Sequence, residues 1–320
     1  LWGRAVNTNR SDGLALAPLA CFMGVEIQQE ILMFIATLTA YELDHAAVEA
    51  LRDAWGGGMI MTLSQNEAAE FPLPFVPDNF RDVWGDMQAM QMDLNIQPAG
   101  HRKKKMLLAD MDSTMIQQEC IDELAEVAGV GDRVREITAR AMNAELDFDG
   151  ALSERVALLK GLPESVIQEV IDTRITLMPG GAELIATMKE QGAYCALVSG
   201  GFTAFTAKIA ATLGFDENRA NTLSVADGNL TGDVARPILG REAKVQALEE
   251  ISQKLGISEE DIIAVGDGAN DLGMLARAGM GVALHAKPAV AEQCETRINH
   301  GDLTALLYLQ GYSKFEFARV

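Results

Sequence analysis

Positive charge is what this chain has least of. Lysine and arginine together number 26 against 46 aspartates and glutamates, for a net charge of −20. A surface of that sign excludes nonspecific nucleic-acid binding, which needs a basic face. An anionic substrate must then be attracted locally, by a metal, by individual cations or by backbone amides. Histidine is sparse too: His45, His101, His285 and His300 are scattered and match no motif. The four cysteines, Cys21, Cys120, Cys195 and Cys294, lie far apart without CxxC spacing, which excludes a zinc pattern and a disulfide framework. Buried thiols in a reducing, cytoplasmic compartment are the expectation. No apolar stretch approaches the ~20 residues of a membrane span, so no membrane partner is expected. The nearest candidate, Leu14 to Gly24 behind Arg4 and Arg10, contains Pro18 and lacks a clear cleavage pattern, which argues against export.

The 320 residues are 48% apolar and 22% charged, enough for about two packed domains. Residues 1–32 show no convincing periodicity and read as a leader. Residues 33–98 read as a small α/β unit: a strand near 34–39, a helix near 44–55 capped by Asp44, a strand near 59–63, an extended Pro72–Pro77 connection, a helix near 79–92 capped by Asp78 and a last strand at 94–96. In architecture this order resembles the ACT-type regulatory domains. Gly100 to Lys105 is a basic linker, expected to be solvated and to mark a boundary at 99–105. A strand at 106–110 follows, then helical patterns over 117–178 that read as a cap. Strand–helix alternation resumes over 179–312, with a hairpin around Asp227-Gly228, before a tail at 313–320. Repeated β–α units with short apolar strands imply a mostly parallel sheet covered on both faces, whose sites form beyond the strands' carboxyl ends.

Three strand ends carry polar sequences. Leu107-Leu108-Ala109 runs into Asp110 and Asp112, two close carboxylates that need a compensating charge. On an extended backbone both would point the same way. Asp267 and Asp271 follow the strand at 261–265. Together these oxygens suit a divalent metal, Mg²⁺ above all, which keeps waters and a phosphate oxygen in its shell. Ser199-Gly200-Gly201 alone is an ordinary turn; beside two acidic strand ends it offers a hydroxyl and approachable amides to a phosphate. Lys244, at a helix start, could neutralise phosphoryl oxygens.

Asp-Met-Asp-Ser-Thr at 110–114, Ser-Gly-Gly at 199–201, Lys244 and Gly-Asp-Gly-Ala-Asn-Asp at 266–271 resemble, in order and spacing, the four motifs of the haloacid-dehalogenase-like (HAD) phosphatases. Glu119, Ala-Met-Asn at 141–143, Leu-Asp-Phe at 146–148 and the stretch from Arg155 narrow the resemblance to the phosphoserine phosphatase family over about residues 104–312. The resemblance implies a Rossmann-like core over 106–116 and 179–312 with a helical-bundle cap. It implies Mg²⁺-dependent hydrolysis of O-phosphoserine to serine and phosphate, the last step of serine biosynthesis. Asp110 would be the nucleophile and Asp112 the proton donor and later the base. Asp110, the backbone carbonyl of Asp112 and Asp267 would hold Mg²⁺, supported by Asp271. Ser199, Gly200, Lys244 and Asn270 would hold the phosphoryl group. Glu119 would meet the substrate ammonium and Arg155 its carboxylate, with Met142 and Phe148 shaping the pocket. Two other readings stand beside this one: phosphoryl transfer to an acceptor such as homoserine, and a non-catalytic amino-acid sensor. Self-association into a homo-oligomer is left open.

Overall fold

The computed structural model describes residues 33–142 and 145–320; the expected leader, residues 1–32, lies outside them, as do residues 143 and 144. The N-terminal unit runs β1 (Phe34–Ala40), α1 (His45–Ala54), β2 (Met61–Ser64), β3 (Ala68–Leu73), α2 (Phe80–Ala89) and β4 (Met92–Pro98). Its sheet has the order β2-β3-β1-β4 with antiparallel pairs throughout. This is the βαββαβ arrangement of a split βαβ fold. Its own core includes Leu38, Val48, Phe71 and Leu94. Asp44 caps α1 as expected, its carboxylate accepting from the amides of Ala46 and Ala47.

Two expectations fail here. The Pro-rich stretch is in part a strand, β3, lying between β2 and β1. Pro72 is tolerated because β2 pairs only as far as Glu70, and the Pro72 carbonyl turns to that open side to accept from Gly58. Asp78 does not cap α2 either. The cap position is Asn79, whose side-chain oxygen accepts from the Trp55 indole instead.

The larger unit opens with β5 (Met106–Ala109), every residue of which is fully buried. Four cap helices follow: α3 (Cys120–Val127), α4 (Gly131–Met142), α5 (Phe148–Ala157) and α6 (Ser165–Arg174). The chain then runs α7 (Gly181–Glu190), β6 (Tyr194–Phe202), α8 (Thr203–Leu213), β7 (Glu217–Asn221), the hairpin β8 (Leu223–Ala226) and β9 (Asn229–Val234), α9 (Arg241–Leu255), β10 (Ile262–Gly266), α10 (Leu272–Arg277), β11 (Met280–Leu284), α11 (Pro288–Ala291), β12 (Thr296–Ile298) and α12 (Ala305–Leu309). The sheet has the order β12-β11-β10-β5-β6-β7, with every pair parallel. The chain moves from β5 to β6 and β7 on one side and places β10 on the other. The topological switch therefore falls at β5, which puts the three polar strand ends side by side. The polar edge strand β7 (Glu-Asn-Arg-Ala-Asn) has no apolar alternation and escapes a pattern reading.

The cap is rooted by a short antiparallel ladder. Gln117 N–H donates to the Thr176 carbonyl and Met178 N–H to the Met115 carbonyl, both at 2.9 Å. Its far side is sewn to the β8–β9 hairpin, through Gly161 N–H to Leu230, Leu230 N–H to Leu162 and Glu164 N–H to Gly228. The basic linker is not a solvated run. Arg102 pairs with buried Glu70 and donates to the Leu309 carbonyl, while Lys104 is buried and donates to the Glu260 carbonyl. The C-terminal stretch packs back as well: Ala318 N–H donates to Thr187, and Lys314 pairs with Glu67.

Candidate active site

Asp110 directly follows β5, and its amide continues the sheet ladder to the Val265 carbonyl at 3.0 Å. Beyond it the backbone turns instead of staying extended. The amides of Thr114, Met115 and Ile116 all point to the Met111 carbonyl, and Ser113 sits at φ 55°. The turn separates the two aspartates that strand alternation would have aligned. Asp110, 4% exposed, accepts from the Met111 amide at 2.8 Å and meets Lys244 Nζ at 2.7 Å. Asp112 accepts instead from Cys120 N–H at 2.9 Å and from the Ser199 hydroxyl at 3.2 Å.

Around Asp110 the charges do not balance. Carboxylate oxygens of Asp110, Asp267 and Asp271 lie within 4.8 Å of one another. Lys244, itself 1% exposed, reaches Asp271 at 2.5 Å and is the ammonium shared by the cluster. Three carboxylates against one ammonium leave two negative charges, the charge of one divalent cation and the donor set a hard one prefers. The proton affinities register the imbalance. Burial pushes the Asp110 carboxyl well above its ordinary value, with Asp271 adding to the rise and Lys244 opposing it. Burial, then Glu119 and Asp271, lift Asp267 to about 7. Burial works against the charge on Lys244, but Asp110 and Asp271 outweigh it and keep the ammonium protonated. Asp112 sits apart, raised to about 6 by burial and Glu119 against the hydrogen bonds from Cys120 and Ser199. A carboxyl at that value can both give and take a proton near neutrality.

β6 runs past the expected end at 198, so Ser199 is buried within it, where the ladder to β7 shifts register, and it accepts from the Gly201 amide at 2.8 Å. Asp271 N–H donates to the Gly268 carbonyl while its carboxylate accepts from Gly268 N–H, which curls the loop bearing Asn270 over the cluster. The Asn270 amide approaches Gly200, and the Phe148 ring lies against both Gly200 and Gly240, where a Cβ would meet it at 3.1 Å. The cap thus reaches the Ser199–Gly201 segment. Phe148 and Arg155 share α5, seven residues apart. Glu119 precedes α3 and accepts from the Ser113 hydroxyl at 2.9 Å. Arg155 is half-buried; burial lowers its proton affinity, opposed by the carboxylates of Asp122, Glu119 and Asp112 in that order. Asp122 is the residue that the motif reading passed over; burial raises its carboxyl, and Arg155 is the strongest charge opposing that rise. Met142 ends α4, and its side chain is outside the described part of the structure. A cleft of about 790 Å³ between the linker and the β11–β12 edge contains none of these groups. Chemistry rather than volume locates the site.

A family model described as haloacid dehalogenase-like hydrolase matches residues 107–276. A phosphoserine phosphatase of Archaeoglobus fulgidus is 43% identical over 249 residues, covering 77% of this chain and 70% of its own. Among solved structures, a HAD family hydrolase from Salmonella enterica serovar Typhi superposes with a TM-score of 0.80 at 32% identity, over 87% of this chain and 98% of that one. A phosphoserine phosphatase holding a phospho-aspartyl intermediate analogue superposes with a TM-score of 0.60 at 45% identity, over 64% of this chain and 98% of that one. By these similarities and by the carboxylate-bearing strand ends they span, the chain belongs to the haloacid dehalogenase-like hydrolases.

Proposed function

We propose that this chain is a Mg²⁺-dependent phosphoserine phosphatase, hydrolysing O-phosphoserine to serine and phosphate at the last step of serine biosynthesis, in the cytoplasm. One observation carries the mechanism. Two aspartates two residues apart occupy different environments, one inside an under-compensated carboxylate cluster and the other bound to a serine hydroxyl and raised to about 6. Groups so separated take separate roles. Asp110 attacks phosphorus, forming an aspartyl-phosphate as the seryl oxygen leaves. Asp112 gives that oxygen a proton, then takes one from the water that opens the acyl phosphate.

Asp110, Asp267 and the backbone carbonyl of Asp112 would hold Mg²⁺, with Asp271 beside them. The Asp112 side chain is turned to Cys120 and Ser199, away from the cluster's ligand set, which supports leaving it out of the metal shell. The ion would supply Lewis-acid stabilisation of the charge on the phosphoryl oxygens. Ser199, the Gly200 backbone, Lys244 and Asn270 hold those oxygens from the other sides. Glu119 takes the substrate ammonium and Arg155, with its planar fork, the carboxylate. Phe148 closes the pocket and excludes water.

The test is phosphate release from O-phosphoserine with Mg²⁺ and with EDTA. Release should require the metal. An Arg155→Ala variant should lose about 100-fold in kcat/KM on phosphoserine but only a few-fold on phosphoethanolamine, which lacks the carboxylate. Equal losses on both substrates would remove Arg155 from the pocket. Phosphohomoserine appearing when homoserine is added, in place of free phosphate, would make the protein a phosphotransferase.

A further inference from the structure

We propose that Asn221 is a positioning residue that aims the Ser199 hydroxyl at Asp112, an inference that rests on the catalytic roles assigned above. Asn221 ends β7 and is 2% exposed, yet no motif of the chain includes it. Its side-chain oxygen accepts from Leu239 N–H at 2.7 Å, and Nδ2 donates to the Leu239 carbonyl at 3.1 Å and to the Gly200 carbonyl at 2.9 Å. These bonds fix the orientation of the amide, because a flipped one would set its oxygen against two carbonyls.

The Gly200 carbonyl and the Gly201 N–H belong to one planar peptide, so holding one holds the other. That Gly201 N–H donates to Ser199 Oγ at 2.8 Å. With that lone pair of Oγ engaged, the hydroxyl directs its own hydrogen to Asp112 at 3.2 Å. The result is one directed chain from Asn221 through the 200–201 peptide and Ser199 to the proton-transfer residue, each bond polarising the next. Gly201 lets the peptide come this close: a Cβ there would lie 2.5 Å from the Asp112 carboxylate. The Leu239 end of the clamp adds a second anchor. Gly240 follows it and precedes α9, the helix that carries Lys244. One buried amide therefore registers the Ser199 loop against the start of the lysine helix without touching a reacting atom.

A double-mutant cycle tests this. Asn221→Asp keeps the size and the acceptor but replaces the NH₂ group, and Asn221→Ser shortens the side chain. Each is made in the wild-type and Ser199→Ala backgrounds, and kcat, KM for phosphoserine and thermal unfolding are measured with Mg²⁺ present. With Ser199 in place, kcat should fall about 10-fold while KM changes by less than about threefold. In the Ser199→Ala background, the same substitution should cost clearly less, about threefold at most in kcat, because the hydroxyl it aims is gone and only the Gly200 peptide and the start of α9 remain to be held. Equal fold losses in the two backgrounds, or no loss of kcat in the first, would overturn the proposal. Loss of cooperative unfolding in both Asn221 variants would overturn it as well, since Asn221 would then hold the fold rather than the hydroxyl. A wild-type protein inert toward phosphoserine would sink the proposed function instead, and the cycle would then be read on p-nitrophenyl phosphate.

Discussion

Two buried aspartate sites in this molecule look alike by burial and differ in their partners. Asp93, on β4 of the N-terminal unit, is fully buried. It accepts from the backbone N–H groups of Asn299, His300 and Gly301 at 2.8–3.0 Å. Its neighbour Asn95 donates to the Arg297 carbonyl and accepts from the Arg297 amide, so its side chain continues the pairing from β4 to β12. Nothing is missing there, and the carboxylate works as a clasp between the two units. The cluster of buried Asp110 and Asp271 with half-buried Asp267 is also largely removed from water but has three carboxylates for the one lysine that contacts it. Burying a charge is tolerated when it is paired and hydrogen-bonded. The difference between the two places is therefore the uncompensated remainder, and that remainder marks the site that needs a ligand.

The comparison would break most visibly in turnover. Asp110→Asn should reduce phosphate release by at least about 10⁴-fold, because an amide cannot form the acyl phosphate. Asp93→Asn should leave kcat within about threefold wherever the protein is folded. Comparable losses from the two would mean that burial, not charge imbalance, is what the site depends on.

Stability should show the reverse. Asp93→Ala leaves three half-buried N–H groups without their acceptor and should cost about 3 kcal/mol in denaturant unfolding. Asp267→Asn in metal-free protein should cost nothing or stabilise, since it removes one of the crowded charges. A destabilisation equal to that of Asp93→Ala would show that Asp267 is already satisfied by the protein alone.

The pH dependence of metal stabilisation sharpens the same point. Asp267 has its carboxyl raised from 3.8 to about 7. A raised carboxyl stays protonated in the folded chain where the unfolded chain has already ionised. Its contribution to stability is therefore lost as pH climbs from about 4 through about 7. Mg²⁺ held as proposed would bind the ionised form and offset that loss. Saturating Mg²⁺ should raise Tm by about 5 °C at pH 8 and by clearly less at pH 5. A pH-independent increment would mean that the ion binds elsewhere. The smallest effect is expected at the clasp's edge, where Asn95→Ala should cost about 1–2 kcal/mol with kcat unchanged.

Much of the catalytic unit was legible before any coordinates. Apolar runs that stop at Asp110, Ser199 and Asp267 announce strands delivering polar groups to one edge. What escaped reading has a common cause. β3 contains Pro72 and β7 is polar, so neither shows the alternation that marks a strand; both exist because a neighbouring strand supplies partners. Arg102 and Lys104 read as solvated charge, yet the carboxylate of Glu70 and the carbonyl of Glu260 come from other parts of the chain. Asn221 and Asp122 carry no signal at all, since their value lies in what faces them.

The chain alone determined which groups are available: paired carboxylates, a serine–glycine–glycine turn, a lysine, and apolar strands short enough to end where those groups begin. Only the tertiary structure decided how they are divided. It turned the backbone after Asp110, so that one aspartate joins Asp267, Asp271 and Lys244 while the other joins Ser199 and Cys120. The physical reason is that local sequence dictates backbone periodicity, whereas the balance of buried charge depends on partners tens to hundreds of residues away, which only folding brings within hydrogen-bonding reach.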